Sequence, residues 1–364
     1  MTLLVRLGAG LALLAFVPPA NAAHHGEFDD APFLRIVQDS DGGALRIDRA
    51  GNSVTVWEGG LLMESYSPVE ELEVVMLDGS GSELEIAFDD PLVGPLTLWL
   101  GDGDRSVLVS GDSPEVGGDL SVWGGAGQQA VSVQASQPLT SAGDFVLVGV
   151  NTFRSDSVPV VGGGDLDMTM DGETAPARLD LFYLDLEGDL TYRGSSEVDQ
   201  VNLGYGEVDV RGKVTIDLGD GISALPVVQW AKLESSGAPG SPRVAGLVSV
   251  SAGNSSFGDL VEIGSDAVLV KGLRLALGEG TNDTSLLGSM GKVQYKGGSG
   301  SEQVTLGMSA PSAKLQLGDG TDVATLLNTL QLEKLSIDFG AGVDTYMIEV
   351  GTDVPDGAKI KNLP

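Results

Sequence analysis

The sequence predicts an all-β protein, a parallel β-solenoid of about 13 coils with a repeat near 24 residues. Three observations carry this reading. A short apolar-x-apolar strand recurs at that spacing, Gly-rich turns written GxGxD or GxGxE follow it, and the same strand-turn-strand unit keeps its order through the body of the chain.

The chain opens with Arg6, an apolar run from Leu7 to Val17, Pro18-Pro19 and the small-x-small triplet Ala20-Asn21-Ala22, the layout of a secretory signal peptide over residues 1–22. Cleavage after Ala22 is expected. The apolar run is too short to span a bilayer, and no later stretch reaches about 18 uninterrupted apolar residues, so an exported protein at the cell surface or in the extracellular medium, without membrane insertion, is expected. Residues 23–44 read as an N-terminal segment or cap, 45–350 as the solenoid and 351–364 as a C-terminal tail or cap.

Within the solenoid, the strand starts fall at Leu45, Leu72, Leu96, Leu120, Phe145, Leu166, Leu190, Val214, Val248, Leu273, Val293, Leu315 and Leu335. At each start that residue and the one two later are apolar, and the residue between them is polar at all starts but Phe145. Period-2 alternation places one face of a strand in a core, because successive Cβ atoms point to opposite sides. Strands this short cannot stand as isolated hairpins, and stacking each unit on the next satisfies their backbone while joining the inward residues into a column. An antiparallel β-sandwich also has short, regularly spaced strands; recurrence of the same unit in the same order favours the solenoid. Val323, Leu326, Leu327 and Leu330 have helical spacing, yet the preceding repeats argue for a strand there. Leu225 to Gly246, rich in Ser, Gly and Pro, reads as an excursion between Val214 and Val248.

Composition narrows the function. Fifty-three Gly in 364 residues supply many tight corners, and 42% hydrophobic side chains are enough for a large core. The absence of Cys removes disulfides, thiolate nucleophiles and thiolate metal sites. Twenty basic against 52 acidic residues give a net charge of −32, which repels phosphate backbones and anionic lipid heads, so no nucleic-acid partner is expected.

Segments such as Leu96 to Val109, Gly118 to Val133 and Leu315 to Asp322 resemble the Gly/Asp-rich β-strand repeats of bacterial secreted surface proteins and, loosely, the calcium-binding RTX β-rolls. That resemblance implies a secreted parallel solenoid. RTX motifs run in tandem every nine residues, whereas each GxGxD-like turn here stands alone in a longer unit, so the family's calcium role carries over weakly.

Four C-terminal turns nonetheless recur in step. Gly278/Gly280, Gly298/Gly300, Gly318/Gly320 and Gly340/Gly342 are each followed, two residues on, by Asn282, Glu302, Asp322 and Asp344. Stacked one coil apart, such carboxylates repel, and Ca²⁺ bridging them would reverse that cost; turn amides bonded by the same side chains are the plainer reading.

Other candidates are sparse. The only histidines are His24 and His25, so no His-dependent triad can form in the solenoid. After cleavage, Ala23-His24-His25 would place His25 third from a free amine, a pattern that wraps Cu²⁺ or Ni²⁺. Trp99 and Trp123 share an outward offset in adjacent coils, with Trp57 ending an earlier strand, which suits either a glycan-stacking strip or a structural aromatic pair. Arg193 and Asp217 share another offset and read as an ion pair. Asp185, Asp209 and Asp217 are the carboxylates a polysaccharide-active β-helix enzyme, glycosidase or lyase, would draw on. No GxxxxGK[ST] phosphate loop is present. The reading is a non-catalytic structural or adhesive solenoid, with surface glycans or matrix components as partners and end-to-end self-association; the alternative is a glycan-directed enzyme or binding module.

Overall fold

The computed structural model describes residues 24–28, 32–38, 43–78, 82–170, 175–203, 207–221, 229–233, 243–254 and 258–363. The segment read as a signal peptide lies outside them. All regular structure among the described residues is β-strand, without helix. The chain divides into two compact units, Met1–Asp171 and Gly172–Pro364.

In the first unit the coils build three parallel columns, of which the third has the fewest strands. The first column stacks Phe33–Gln38, Glu71–Met76, Leu96–Gly101, Leu120–Gly124, Phe145–Val148 and Leu166–Thr169. The second runs from Leu45–Ala50 through Ser82–Phe88, Arg105–Gly111 and Gln129–Ala135 to the start of Thr152–Gly162. The third contains Glu115–Val116, Leu139–Ser141 and the end of Thr152–Gly162. The second unit repeats the plan. Its first column includes Leu190–Arg193, Val214–Asp217, Leu247–Ser251 and Lys359–Lys361, and its second includes Gln200–Leu203, Asp259–Ile263, Thr281–Leu286, Ser301–Leu306, Val323–Leu326 and Thr345–Ile348.

All 26 apolar residues that the alternation assigns to the interior are buried, none more than 4% exposed. The parallel solenoid is therefore the fold, and the antiparallel sandwich is not. Among the described residues, antiparallel pairing is confined to the beginning of the first unit, where His24–Phe28 lies against Phe33–Gln38 and the strands Ser53–Glu58 and Leu61–Tyr66 extend from Leu45–Ala50.

Three details differ from the sequence expectation. Among the described residues there are roughly eleven turns, not thirteen, and the limits of the first column differ as well: Leu45 starts no first-column strand but sits in the second column opposite Leu84, and the column runs past Leu335 to Lys359–Lys361. The register of one coil is moved by two residues. Val293 pairs with Ala313, and Leu315 pairs with Tyr295 and Ile337. A slip of two leaves every side chain on its own face, and the small Ala313 concealed the true start. Finally, two strands inside the expected excursion, Gln229–Leu233 and Arg243–Val244, continue the second and third columns.

Glycine sets how closely coils approach at the corners. At Gly318 φ is +103°, and a Cβ there would overlap the Gly298 carbonyl oxygen one coil away. Gly51 also has positive φ, at +58°, but a Cβ there would meet nothing. Gly318→Ala should therefore lower stability by about 1 kcal/mol or more, and by more than Gly51→Ala, in denaturant melts. Leu147→Ala, which empties a fully buried first-column position, should cost about 2–5 kcal/mol, with hydrogen exchange rising first in the coils on either side.

Candidate functional site

The polar chemistry of both units is concentrated at the corners, where the chain bends from one column to the next. Before several first-column strands the sequence places Gly-Asp, and that aspartate bonds the next coil. Asp119 Oδ1 accepts the Asp144 amide at 2.9 Å, and Asp144 Oδ1 accepts the Asp165 amide at 2.8 Å. In the second unit Asp189 Oδ1 accepts the Lys213 amide at 2.8 Å. At the corner leading to the second column, Asp102 and Asp104 accept from Ala126 at 2.8 Å and Gln128 at 2.9 Å. These acceptors were not singled out from sequence, although Gly-Asp directly ahead of the strand start is a visible signal.

A second ladder lies inside, at the residue that begins each second-column strand. In the first unit it passes through Arg105, Gln129 and Asn151, all buried, with the Gln129 amide donating to Asn151 Oδ1 at 2.7 Å. In the second unit it includes Asp199, Asp259, Asn282, Glu302, Asp322 and Asp344, again all buried. Four rungs use a main-chain N–H of one coil and a side-chain oxygen of the next: Ala177 to Asp199 at 3.0 Å, Asp259 to Asn282 at 2.9 Å, Glu302 to Asp322 at 2.9 Å and Asp322 to Asp344 at 3.0 Å. Asn282, Glu302, Asp322 and Asp344 thus meet in register, but facing the interior instead of solvent. Asp199 and Asp259 extend the ladder beyond the four residues read from the Gly-x-Gly spacing, because their corners lack that spacing.

Burial pushes these carboxyls upward. Asp199 rises from 3.8 to about 7 through loss of hydration, despite bonds from the Ser195 amide at 2.8 Å and the Ala177 amide. Asp259 also rises to about 7, first from burial and then from the Glu302 charge. Glu302 and Asp322 are raised by burial as well. Glu302 is surrounded by donors, from Asn282 Nδ2 at 2.9 Å, the Gly298 amide at 3.2 Å and the Tyr295 hydroxyl. Among the described residues, no group of three or more His, Asp or Glu side chains is arranged to hold a metal ion.

The remaining candidates are distributed over different faces. Trp99 and Trp123 are register partners whose rings stack 5.3 Å apart at 17°. Trp99, 41% exposed, donates from Nε1 to Glu73 Oε1 at 2.9 Å. The stack occupies one face of each ring. Asp185 and Asp209 are neighbours in the third column, while Asp217 lies in the first, opposite Arg193. Only two of the three carboxylates considered for acid and base work therefore meet. His25 belongs to the strand His24–Phe28, whose side chains lie outside the description. No helix among the described residues is long and apolar enough to cross a membrane.

These features define a class, a parallel β-solenoid repeat protein with a buried polar ladder at its inner corner. Comparison with protein-family models, with curated proteins and with solved structures finds no match for the chain.

Asp199 gives the ladder a pH signature. Its folded pKa is raised above the ordinary value, so the folded chain holds a proton that the unfolded chain has released. The associated stability is complete below about pH 4 and is lost as pH rises through about 7. Melting temperature should fall over that interval, and Asp199→Asn should reduce the slope. An unchanged slope in the variant would remove Asp199 as its source.

Proposed function

We propose that this chain is a non-catalytic structural or adhesive β-solenoid, exported to the cell surface or extracellular matrix. The observation that carries the reading is where the corner carboxylates are spent. Asp102, Asp104, Asp119, Asp144 and Asp189 accept amides from the following coil, which joins coils and occupies groups a catalyst would direct toward substrate. The leader-like Met1 to Ala22, the lack of Cys and the −32 charge support export and a partner that is neutral or cationic. Surface glycans or matrix components are the partner class, and end-to-end association is the natural mode of joining such coils. By composition the chain resembles the Gly/Asp-rich repeats of secreted bacterial surface proteins.

A glycan-binding reading has one feature in its favour, the exposed Trp99 edge beside Glu73 and the stacked Trp123. Enzymatic action on polysaccharide would draw on the Asp185 and Asp209 pair. One set of measurements separates the three. Incubated with a panel of polysaccharides, the mature protein should release no reducing ends and no unsaturated products, while cells lacking it should attach less firmly to matrix. Product release abolished by Asp209→Asn would establish the enzyme instead. Retention on a glycan array that Trp99→Ala eliminates, at unchanged melting temperature, would establish the binding module.

A further inference from the structure

The inner ladder of the second unit changes character along its length. Around Glu302 every carboxylate oxygen has a donor: Asn282 Nδ2 and the Gly298 amide reach Oε1, and the Tyr295 hydroxyl reaches Oε2. One and two coils further on, the donors stop. Asp322 and Asp344 are 0% and 8% exposed. Each gives Oδ1 to the amide of the preceding coil, from Glu302 at 2.9 Å and from Asp322 at 3.0 Å. In both residues Oδ2 is buried without a hydrogen-bond partner.

An unpaired buried carboxylate oxygen is costly, and two in succession with like charge are costlier still. Asp319 adds its charge to the same corner. A small cation placed between them would satisfy both atoms and offset their charge. The two side chains occupy equivalent positions in consecutive coils, since the next residues, Val323 and Thr345, are register partners. Parallel strands lie about 4.8 Å apart, and Ca²⁺–oxygen distances are about 2.3–2.6 Å. One coil spacing is therefore twice the length of a Ca²⁺–oxygen bond. An ion midway between carboxylates held at that spacing would sit at bonding distance from both.

We propose that the pair Asp322 and Asp344 binds a hard divalent cation of the Ca²⁺ class, joining the last coils of the second unit. No third acidic or His side chain completes a cluster there, so main-chain carbonyls and water supply the rest of the shell, as Ca²⁺ permits. Asp344, at 8%, is the more exposed residue of the pair, although its Oδ2 is itself buried. Asn282 and Glu302 take no part, because their oxygens already have donors. The site deepens the proposed function only by placing the chain where free Ca²⁺ is abundant; a scaffold without the ion would still bind matrix and lack enzymatic activity.

The test uses the full mature chain, stripped with EDTA and melted at pH 8 with and without millimolar Ca²⁺, with NaCl matched for ionic strength. Ca²⁺ should raise the melting temperature by several degrees, Mg²⁺ by less because it requires a tighter octahedral shell, and NaCl should not reproduce the shift. Asp322→Asn preserves the Oδ1 acceptor, as Asn282 does naturally, and should abolish the Ca²⁺ shift; Asp319→Asn should retain it. Equilibrium dialysis of the unaltered chain against radioactive Ca²⁺ should find one bound ion that Asp322→Asn removes, which reads the site without relying on unfolding. No bound ion, a shift equalled by NaCl or Mg²⁺, or a shift surviving Asp322→Asn would overturn the proposal. Stabilisation by acid alone, with none from Ca²⁺, would overturn it in favour of protons on the same oxygens.

Discussion

Parallel stacking at one strand spacing is the constraint from which the other features descend. Every coil must present its backbone donors and acceptors to the coils above and below, so any side chain at a bend has the same neighbours as the bend itself. Polar groups there cannot turn to water without leaving an amide unpaired, and an unpaired buried amide is expensive. Aspartate and asparagine resolve the problem because one short oxygen reaches the amide of the adjacent coil. Glycine resolves the remainder, since at Gly318 a Cβ would meet the carbonyl of Gly298. The unusual abundance of both residue types follows from the geometry of bends, repeated in both units.

This arrangement concentrates acid in dry places. Oxygens on Asp199 and Glu302 are surrounded by donors, whereas Asp322 and Asp344 each retain one buried oxygen without any. A ladder of amides alone, as at Asn151 and Asn282, would avoid the charge altogether. The chain instead mixes amides with carboxyls at equivalent positions, with Glu302, Asp322 and Asp344 in succession, so the cohesion of its coils depends on what neutralises them. That dependence links a structural role to the surrounding medium, because acidity and hard cations both act on the same oxygens.

Much of the fold was legible because inward residues alternate strictly with polar ones: Leu96 with Leu98 across Thr97, Leu120 with Val122 across Ser121. What periodicity cannot supply is registration between coils. Leu45 and Leu315 satisfy the pattern as well as any other start, yet the first belongs to the second column and the second is displaced by two. Alternation also breaks down at a bend, where neither neighbour defines in or out. Asn282, Glu302, Asp322 and Asp344 were recognisable as one stacked series, but their burial was not, and Asp199 and Asp259 lacked the flanking glycines that made the series visible. The antiparallel strands at the beginning of the first unit had no repeat to announce them.

The central claim is that residues one repeat apart lie side by side in parallel, in the stated register. The chain contains no cysteine, so paired Thr97→Cys and Ser121→Cys substitutions, at register partners on the outward face of the first column, would test it without interference. Adjacent strands fall within the Cα separation that a disulfide spans, about 4.4–6.8 Å. The account predicts rapid, near-complete oxidation of this pair and little for Thr97→Cys combined with Thr140→Cys, which lies in the third column. Comparable oxidation of both pairs, or failure of the first in folded protein, would contradict it.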